Sequence, residues 1–188
     1  MPSPLAHALA GLIVHVATAP AGELASRRRA AVTVGAALAP DLDFAWQLLD
    51  GVNHHQAQGH SIGIGIVVAA AVTLVAAAGR APRPWALGLA ALAGWTSHVL
   101  LDLLNVDTSP PIGLMALWPF SAGYFKSPWS LFLDIGRTLN WRTVRHDAVA
   151  IVWEVGVLCP VVIATWRVRA RRRAGAWHGA RIREQIGG

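Results

Sequence analysis

Seven side chains of the kinds that hold divalent metals stand in an otherwise apolar chain: His7, Asp41, Asp43, His55, His60, His98 and Asp102. Their local spacings suit that chemistry. His98 and Asp102 are four apart, so they project from one helix face on adjacent turns and can grip a single ion, with Asn105 continuing the stripe. Asp41 and Asp43 stand about 200° apart on a regular helix and could not share an ion there. Pro40 just before them predicts a break that turns both carboxylates toward one point. His55 and His60 flank Gln56-Ala57-Gln58-Gly59, where Gly59 offers a tight return that lets the two imidazoles converge. Mixed histidine and carboxylate ligands suit zinc, manganese or iron, and Cys159, the single cysteine, excludes a thiolate site. All seven are therefore expected to be metal ligands, with zinc or manganese as the cofactor, one or two ions per chain. A catalytic zinc usually takes three protein ligands and a water, so seven candidates suit two metals, or one metal with a spare carboxylate as general base. Asp43 is the residue expected in that catalytic role.

Simpler roles exist for each residue taken alone. An intramembrane histidine is more often a hydrogen-bonding residue between helices than a ligand, which is the expectation for His15 and His54. Asp41 could cap a helix after Pro40, and Asp102 could merely pair with His98. Each buried ionisable group in a membrane costs about 2–3 kcal/mol, however, so seven gathered at one depth argue for a shared cation. Glu154 has two readings, as an orienting partner of a ligand or as the partner of an arginine. Ser61 is expected to cap a helix.

The elements that must position these residues are set by composition. Of 188 residues, 54% belong to the hydrophobic set and only 14% are charged, against about 25% charged in soluble domains. Mean hydropathy is +0.45. Disorder is excluded by this hydrophobicity, and a disulfide scaffold by the lone cysteine. The net charge of +6 would suggest nucleic acid in a soluble protein. Here most arginines flank apolar segments, so membrane topology explains them and nucleic acid is not an expected partner.

Five segments qualify as helices crossing a membrane: Met1–Gly22, Ala30–Leu49, Ser61–Gly79, Pro84–Leu101 and Asp147–Trp166. A crossing of a ~30 Å hydrocarbon core takes about 20 apolar residues, and Ala30–Leu49 is the weakest because Pro40, Asp41 and Asp43 interrupt it. No basic residue precedes the first segment, so it reads as a retained helix and not as a signal peptide. Arg27–Arg29, Arg80, Arg83 and the arginines from Arg167 to Arg173 mark cytoplasmic positions, placing the N-terminus outside and the C-terminus in the cytoplasm. Lys126, Arg137, Arg142 and Arg145 fall on the outer side and count against this scheme. All seven candidate ligands then lie near the outer side, although the arginines alone set the orientation. The fold class expected is an all-α polytopic membrane bundle of about five membrane helices plus an interfacial amphipathic helix at Trp129–Trp141, where Leu131, Phe132, Ile135 and Leu139 share one side. Residues 1–166 form the membrane-embedded domain, and residues 167–188 a basic cytoplasmic tail suited to anionic lipid.

The order of these motifs resembles the YdjM-like family of bacterial inner-membrane, metal-dependent hydrolases. The resemblance rests on Pro4-Leu5-Ala6-His7-Ala8-Leu9-Ala10-Gly11, Leu38-Ala39-Pro40-Asp41-Leu42-Asp43, His55-x4-His60-Ser61, Ser97-His98-Val99-Leu100-Leu101-Asp102 and Trp118-Pro119-Phe120-Ser121, and so covers roughly residues 1–121. The third motif in that family usually reads His-Arg-Gly-x-x-His-Ser, whereas Gln56-Ala57 stand here. The missing arginine would have suited an anionic substrate group.

The resemblance implies a membrane-bound metal-dependent hydrolase in the bacterial inner membrane. Metal-activated water on an ester or phosphoester is the chemistry expected. Membrane lipids are the expected partners, and a lipid or lipid-linked substrate is expected because Trp118, Phe120, Tyr124, Phe125 and Trp129 suit headgroup depth. Such a substrate would enter between the fourth helix and the Trp118–Trp141 segment. The alternatives are a metal-binding membrane transporter and a non-catalytic membrane scaffold, although no repeated hydropathy unit favours a transporter.

Overall fold

The computed structural model describes residues 1–186 except Ala21, Asn53 and Ser109, and leaves the side chains of Leu48 and of residues 174–186 undescribed. The described residues form six α-helices and no strand: α1 (Pro4–Thr18), α2 (Arg27–Leu38), α3 (Asp43–Asp50), α4 (Ile62–Ala78), α5 (Pro84–Leu103) and α6 (Trp141–Ile186).

Local chemistry accounts for most helix ends. The Ser3 hydroxyl accepts from the Ala6 amide at 3.2 Å, and Pro4 opens α1. Ser26 caps α2 in the same way through the Arg29 amide at 3.3 Å. Ser61 caps α4 through the Ile64 amide at 3.1 Å, the role its position suggests. At Pro40 the regular helix gives way to a single 3₁₀ turn, Ala39–Leu42, before α3 resumes at Asp43. The expected segment Ala30–Leu49 is therefore two short helices with a turn between them.

Helix α5 is the axis of the bundle. It buries residues on nearly every side, from Ala86 and Ala90 near its start to Val99 and Asp102 near its end, and it packs against α1, α2 and α4. Small residues bring the backbones close, as expected where helices associate by packing. A Cβ on Gly11 of α1 would meet Ala37 and Val34 of α2 at 2.9 Å, and one on Gly94 of α5 would overlap the Thr33 carbonyl. Helix α6 packs along α1, while Val149, Val152, Val161, Ile163 and Trp166 stay exposed on its outer surface. Two helices, Pro84–Leu103 and Trp141–Arg173, are long and apolar enough to cross a membrane; α1 and α4 are shorter apolar helices. Helix α6 continues past Trp166 without a break, so no change of structure marks the expected start of the tail.

The expected interfacial helix at Trp129–Trp141 is absent: the chain there is irregular up to Asn140. Its backbone groups are used by distant partners. The amides of Leu131 and Phe132 donate to the Leu104 carbonyl at 2.7 and 3.1 Å, Val106 donates to the Phe132 carbonyl at 2.8 Å, and Ile135 donates to the Met1 carbonyl at 3.1 Å. Phe132 is drawn into the core, 2% exposed, against Ala6 and Leu158, while Leu139 remains 98% exposed. Side chains expected on one face thus go opposite ways.

The close contact at Gly94 yields a prediction. Gly94→Val should lower the thermal unfolding temperature in detergent, with a cost of about 1–3 kcal/mol for overpacking. Gly35→Ala, where an added Cβ meets nothing within 4 Å, should be neutral or stabilising.

Candidate metal centre

The seven residues come from five places in the chain and converge at one end of the bundle. His7 sits in the first turns of α1, Asp41 in the 3₁₀ turn after α2, and Asp43 at the start of α3. His55 and His60 precede α4, and His98 and Asp102 lie in the last turns of α5. Arg27–Arg29, at the start of α2, and Arg80 and Arg83, between α4 and α5, stand at the opposite end.

Two groups have potential ligand atoms within 4.8 Å of one another: His7, His98 and Asp102, and Asp41, His55 and His60. In the first, Asp102 lies 3.5 Å from His7 Nε2 and 3.1 Å from His98 Nε2. The groups join through His60 Nε2, which lies 3.7 Å from Asp41 and 3.5 Å from Asp102, and through His98 Nε2, 3.6 Å from Asp41. The His7 and His98 rings stack at 3.8 Å. Asp43 is a member of neither group but touches the second. Its two carboxylate oxygens lie 3.2 Å from His55 Nδ1 and 3.2 Å from His60 Nδ1. That is where a carboxylate orients imidazoles, behind the rings and away from the Nε2 face of His60.

Charge is the dominant feature. Burial works against the His60 imidazolium, but Asp41, Asp43 and Asp102 around it overcome this and raise its pKa to about 9. Burial pushes the Asp43 carboxyl up, yet hydrogen bonds from His55 and His60 hold it well below the usual carboxylate range. For His55, burial outweighs Asp43 and lowers the pKa.

The donor set fits a divalent cation. Both oxygens of Asp41 and of Asp102, and the Nε2 atoms of His7, His60 and His98, are buried without a hydrogen-bond partner. His98 Nδ1 donates to the Ala37 carbonyl at 2.8 Å, which leaves a lone pair on Nε2 facing the oxygens of Asp102 and Asp41. Lone pairs that face one another at 3.1–3.7 Å repel unless a proton or a cation lies between them. A histidine held through its other nitrogen by a backbone carbonyl is the usual arrangement behind a metal ligand.

Several residues play parts other than those expected. The turn joining His55 to His60 is made at Gln56, with φ of +63°. Gly59 sits in a 3₁₀ turn with ordinary φ, and its nearest neighbour would be 3.9 Å from an added Cβ. His15 bonds the Leu24 carbonyl at 3.1 Å and His54 bonds Asp50 at 2.6 Å, so both have structural partners, in neighbouring loop and helix end. Glu154 neither pairs with an arginine nor touches a candidate ligand. It is fully buried in α6 and accepts from the Ser3 amide at 2.7 Å and from the Ser3 hydroxyl, which ties the start of α1, and with it His7, to α6. The pairing of Glu154 with Ser3, 151 residues away, leaves no local signal in the sequence.

The side expected to open toward lipid is closed. Leu114, Ala116 and Phe132 of the 103–132 segment are buried and pack against α1, α4 and α5 beside the cluster. What exposure the cluster has is at Asp41 and Asp43, whose side chains are 12% and 11% accessible. Next to them the 3₁₀ turn leaves Leu42 exposed and α3 leaves Trp46 and Leu49 exposed, and Phe44 stacks on His55 at 4.3 Å.

An all-α bundle with apolar helices and a buried histidine–aspartate cluster at one end is the class of protein these features define. The family model of the YdjM inner membrane protein matches residues 1–179, and the chain belongs to that family. No curated protein and no solved structure matches it.

The Ser3–Glu154 pair yields a prediction. Glu154→Ala leaves a buried amide and hydroxyl without their acceptor, a cost of about 1–3 kcal/mol. It should lower the unfolding temperature more than Glu154→Gln, which keeps one acceptor oxygen; equal effects would exclude the hydrogen bonds as the cause.

Proposed function

We propose that the chain is a membrane-bound metal-dependent hydrolase acting on an ester or phosphoester, with a lipid or lipid-linked molecule as substrate. The observation that carries this reading is the convergence of buried carboxylate oxygens and imidazole Nε2 atoms within 3.1–3.7 Å of one another, with no other protein group reaching them. His7, His98 and Asp102 would hold one ion, and Asp41, His55 and His60 a second, zinc or manganese by donor type. A bound divalent ion supplies a water acidified toward neutral pH and polarises the scissile oxygen. The chain supplies the rest. The Ala37 carbonyl fixes the tautomer of His98, and Asp43 fixes the rings of His55 and His60. Asp43 therefore acts as a positioning residue in this reading, and Asp41, whose carboxylate oxygens are buried and face the Nε2 atoms of His60 and His98, acts as a ligand.

Lipid access is supported by α3 and the turn before it. Leu42, Trp46 and Leu49 form an exposed apolar surface beside Asp41 and Asp43, of the kind that lies in the headgroup layer. A tryptophan among them suits that depth. In this arrangement α1, α2, α4, α5 and α6 cross the membrane, the N-terminus is outside, and the arginine end faces the cytoplasm. The 12 residues of α2 are short for a crossing, but α1 and α5 flank them.

Two measurements test the proposal. Metal analysis of the detergent-purified chain should find one or two zinc or manganese ions. His60→Ala, His98→Ala, Asp41→Ala and Asp102→Ala should each lose most of them, while His54→Ala should not. Full occupancy in all four variants would sink the site. The metal-loaded chain should then hydrolyse a short-chain phospholipid or ester in micelles, and His98→Ala should lower that rate at least a hundred-fold, about 3 kcal/mol of transition-state stabilisation. Bound metal with no turnover on any ester or phosphoester would favour the scaffold.

Topology is checked separately. A reporter fused after Arg173 should report cytoplasm and one inserted after Val52 the outer side; cytoplasmic signal at Val52 would overturn the orientation.

A further inference from the structure

The arginine end carries a second feature that the proposed hydrolase does not use. A groove of about 520 Å³ runs between the end of α1, Arg29 of α2 and the first half of α5. Its upper rim holds Arg29 and Arg83; Trp85, Leu89 and Ala93 continue it down the apolar side of α5. Arg29 is only 4% exposed, which is unusual for an arginine without a full counter-charge. Its Nη1 donates to the Ala86 carbonyl at 2.9 Å and its Nη2 to the Thr18 hydroxyl at 3.2 Å, both uncharged partners. Its Nε is buried without a partner. Glu23 is the one carboxylate at hand, 4.0 Å from Arg29 and 3.7 Å from Arg83. Arg29 and Arg83 share this one carboxylate, and Arg169 reaches the nearby Ala19 carbonyl, so the head of the apolar channel carries surplus positive charge.

We propose that this groove is a binding site for an anionic phospholipid of the leaflet at the arginine end. The phosphodiester would neutralise the surplus charge of Arg29 and Arg83, and an acyl chain would lie along Leu89 and Ala93. Several features fit that occupant. The groove is polar only at its rim, where a headgroup sits. Trp85 is 59% exposed at the rim, a position that favours an interfacial ring. Thr18, Ala86 and Ala93 are small and leave room for a chain. Basic pockets between membrane helices recognise anionic headgroups by charge, and a second set of cationic side chains is not needed for that. A soluble phosphate would satisfy the arginines but would leave the apolar part of the groove uncovered.

The test uses the full chain in neutral detergent. Native mass spectrometry would titrate phosphatidylglycerol against phosphatidylcholine of the same acyl length. The wild-type chain should retain phosphatidylglycerol about five-fold more tightly or better, the order expected from one uncompensated basic residue near a headgroup. Arg83→Gln, at an exposed position, should reduce retention to the phosphatidylcholine level. Ala93→Trp should do the same with both arginines intact, because it fills the channel; Leu89→Ser, also at an exposed position, serves if that variant does not fold. The paired substitution Arg171→Gln and Arg172→Gln removes more charge without touching the groove and should leave retention unchanged. Equal retention of the two lipids, equal loss in the tail variant, or full retention with the channel altered would each overturn the proposal.

Discussion

The arrangement at the closed end of the bundle depends on one electrostatic constraint: carboxylates and imidazole lone pairs are buried together and must share positive charge. Asp102 is fully buried and lies between His7, His60 and His98. An isolated carboxylate at such a place would cost several kcal/mol after relaxation. Protons can meet part of the requirement, as the high pKa of His60 indicates. A divalent ion concentrates the same charge at one point and orders the donors around it. The proposed metal thus follows from a charge requirement as much as from ligand types.

The rest of the bundle can be understood as support for those donors. Several of the contributing places are held by interactions with residues outside the candidate ligand set. Glu154 holds the start of α1, and the Ala37 carbonyl holds the His98 ring. Ser61 caps α4 directly after His60 while its carbonyl accepts from Trp95 Nε1 at 2.9 Å, joining α4 to α5 at the level of the site. Close glycine contacts between α1, α2 and α5 set the spacing of the helices whose ends carry His7, Asp41 and Asp102. A constellation of this kind needs rigid backing, since misplacing a donor by about 1 Å is enough to spoil it.

Much of this was legible because it is local. The four-residue spacing of His98 and Asp102 needs only helix geometry, Pro40 needs only its missing amide, and Ser61 needs only the turn that follows it. The parts that were not legible depend on partners far along the chain. The Trp129–Trp141 segment has the spacing of an amphipathic helix, but Leu104, Met1 and Val106 use its backbone groups and extract Phe132 into the core. Glu154 finds Ser3, 151 residues away in sequence. Gln56 takes a left-handed conformation that sequence preference would give to Gly59. Phe120 and Trp129 are exposed, but the residues beside Asp41 and Asp43 are set by the turn at Pro40, which starts α3 there.

The two ends of the bundle differ in a way that one physical argument connects. The histidine–aspartate cluster lies at one end and Arg27–Arg29, Arg80 and Arg83 at the other, and the helices between carry few charges, Glu154 of α6 being one. In a membrane such scarcity is expected, because ionisable groups at the centre are the most costly. Charged chemistry is therefore confined to the two interfaces, and a small bundle can offer only one site at each. At the acidic end the buried donors form the setting that the proposed cation would occupy. At the basic end the surplus of Arg29 and Arg83 over Glu23 demands an anion, and the apolar channel beneath it selects one that carries a hydrocarbon chain.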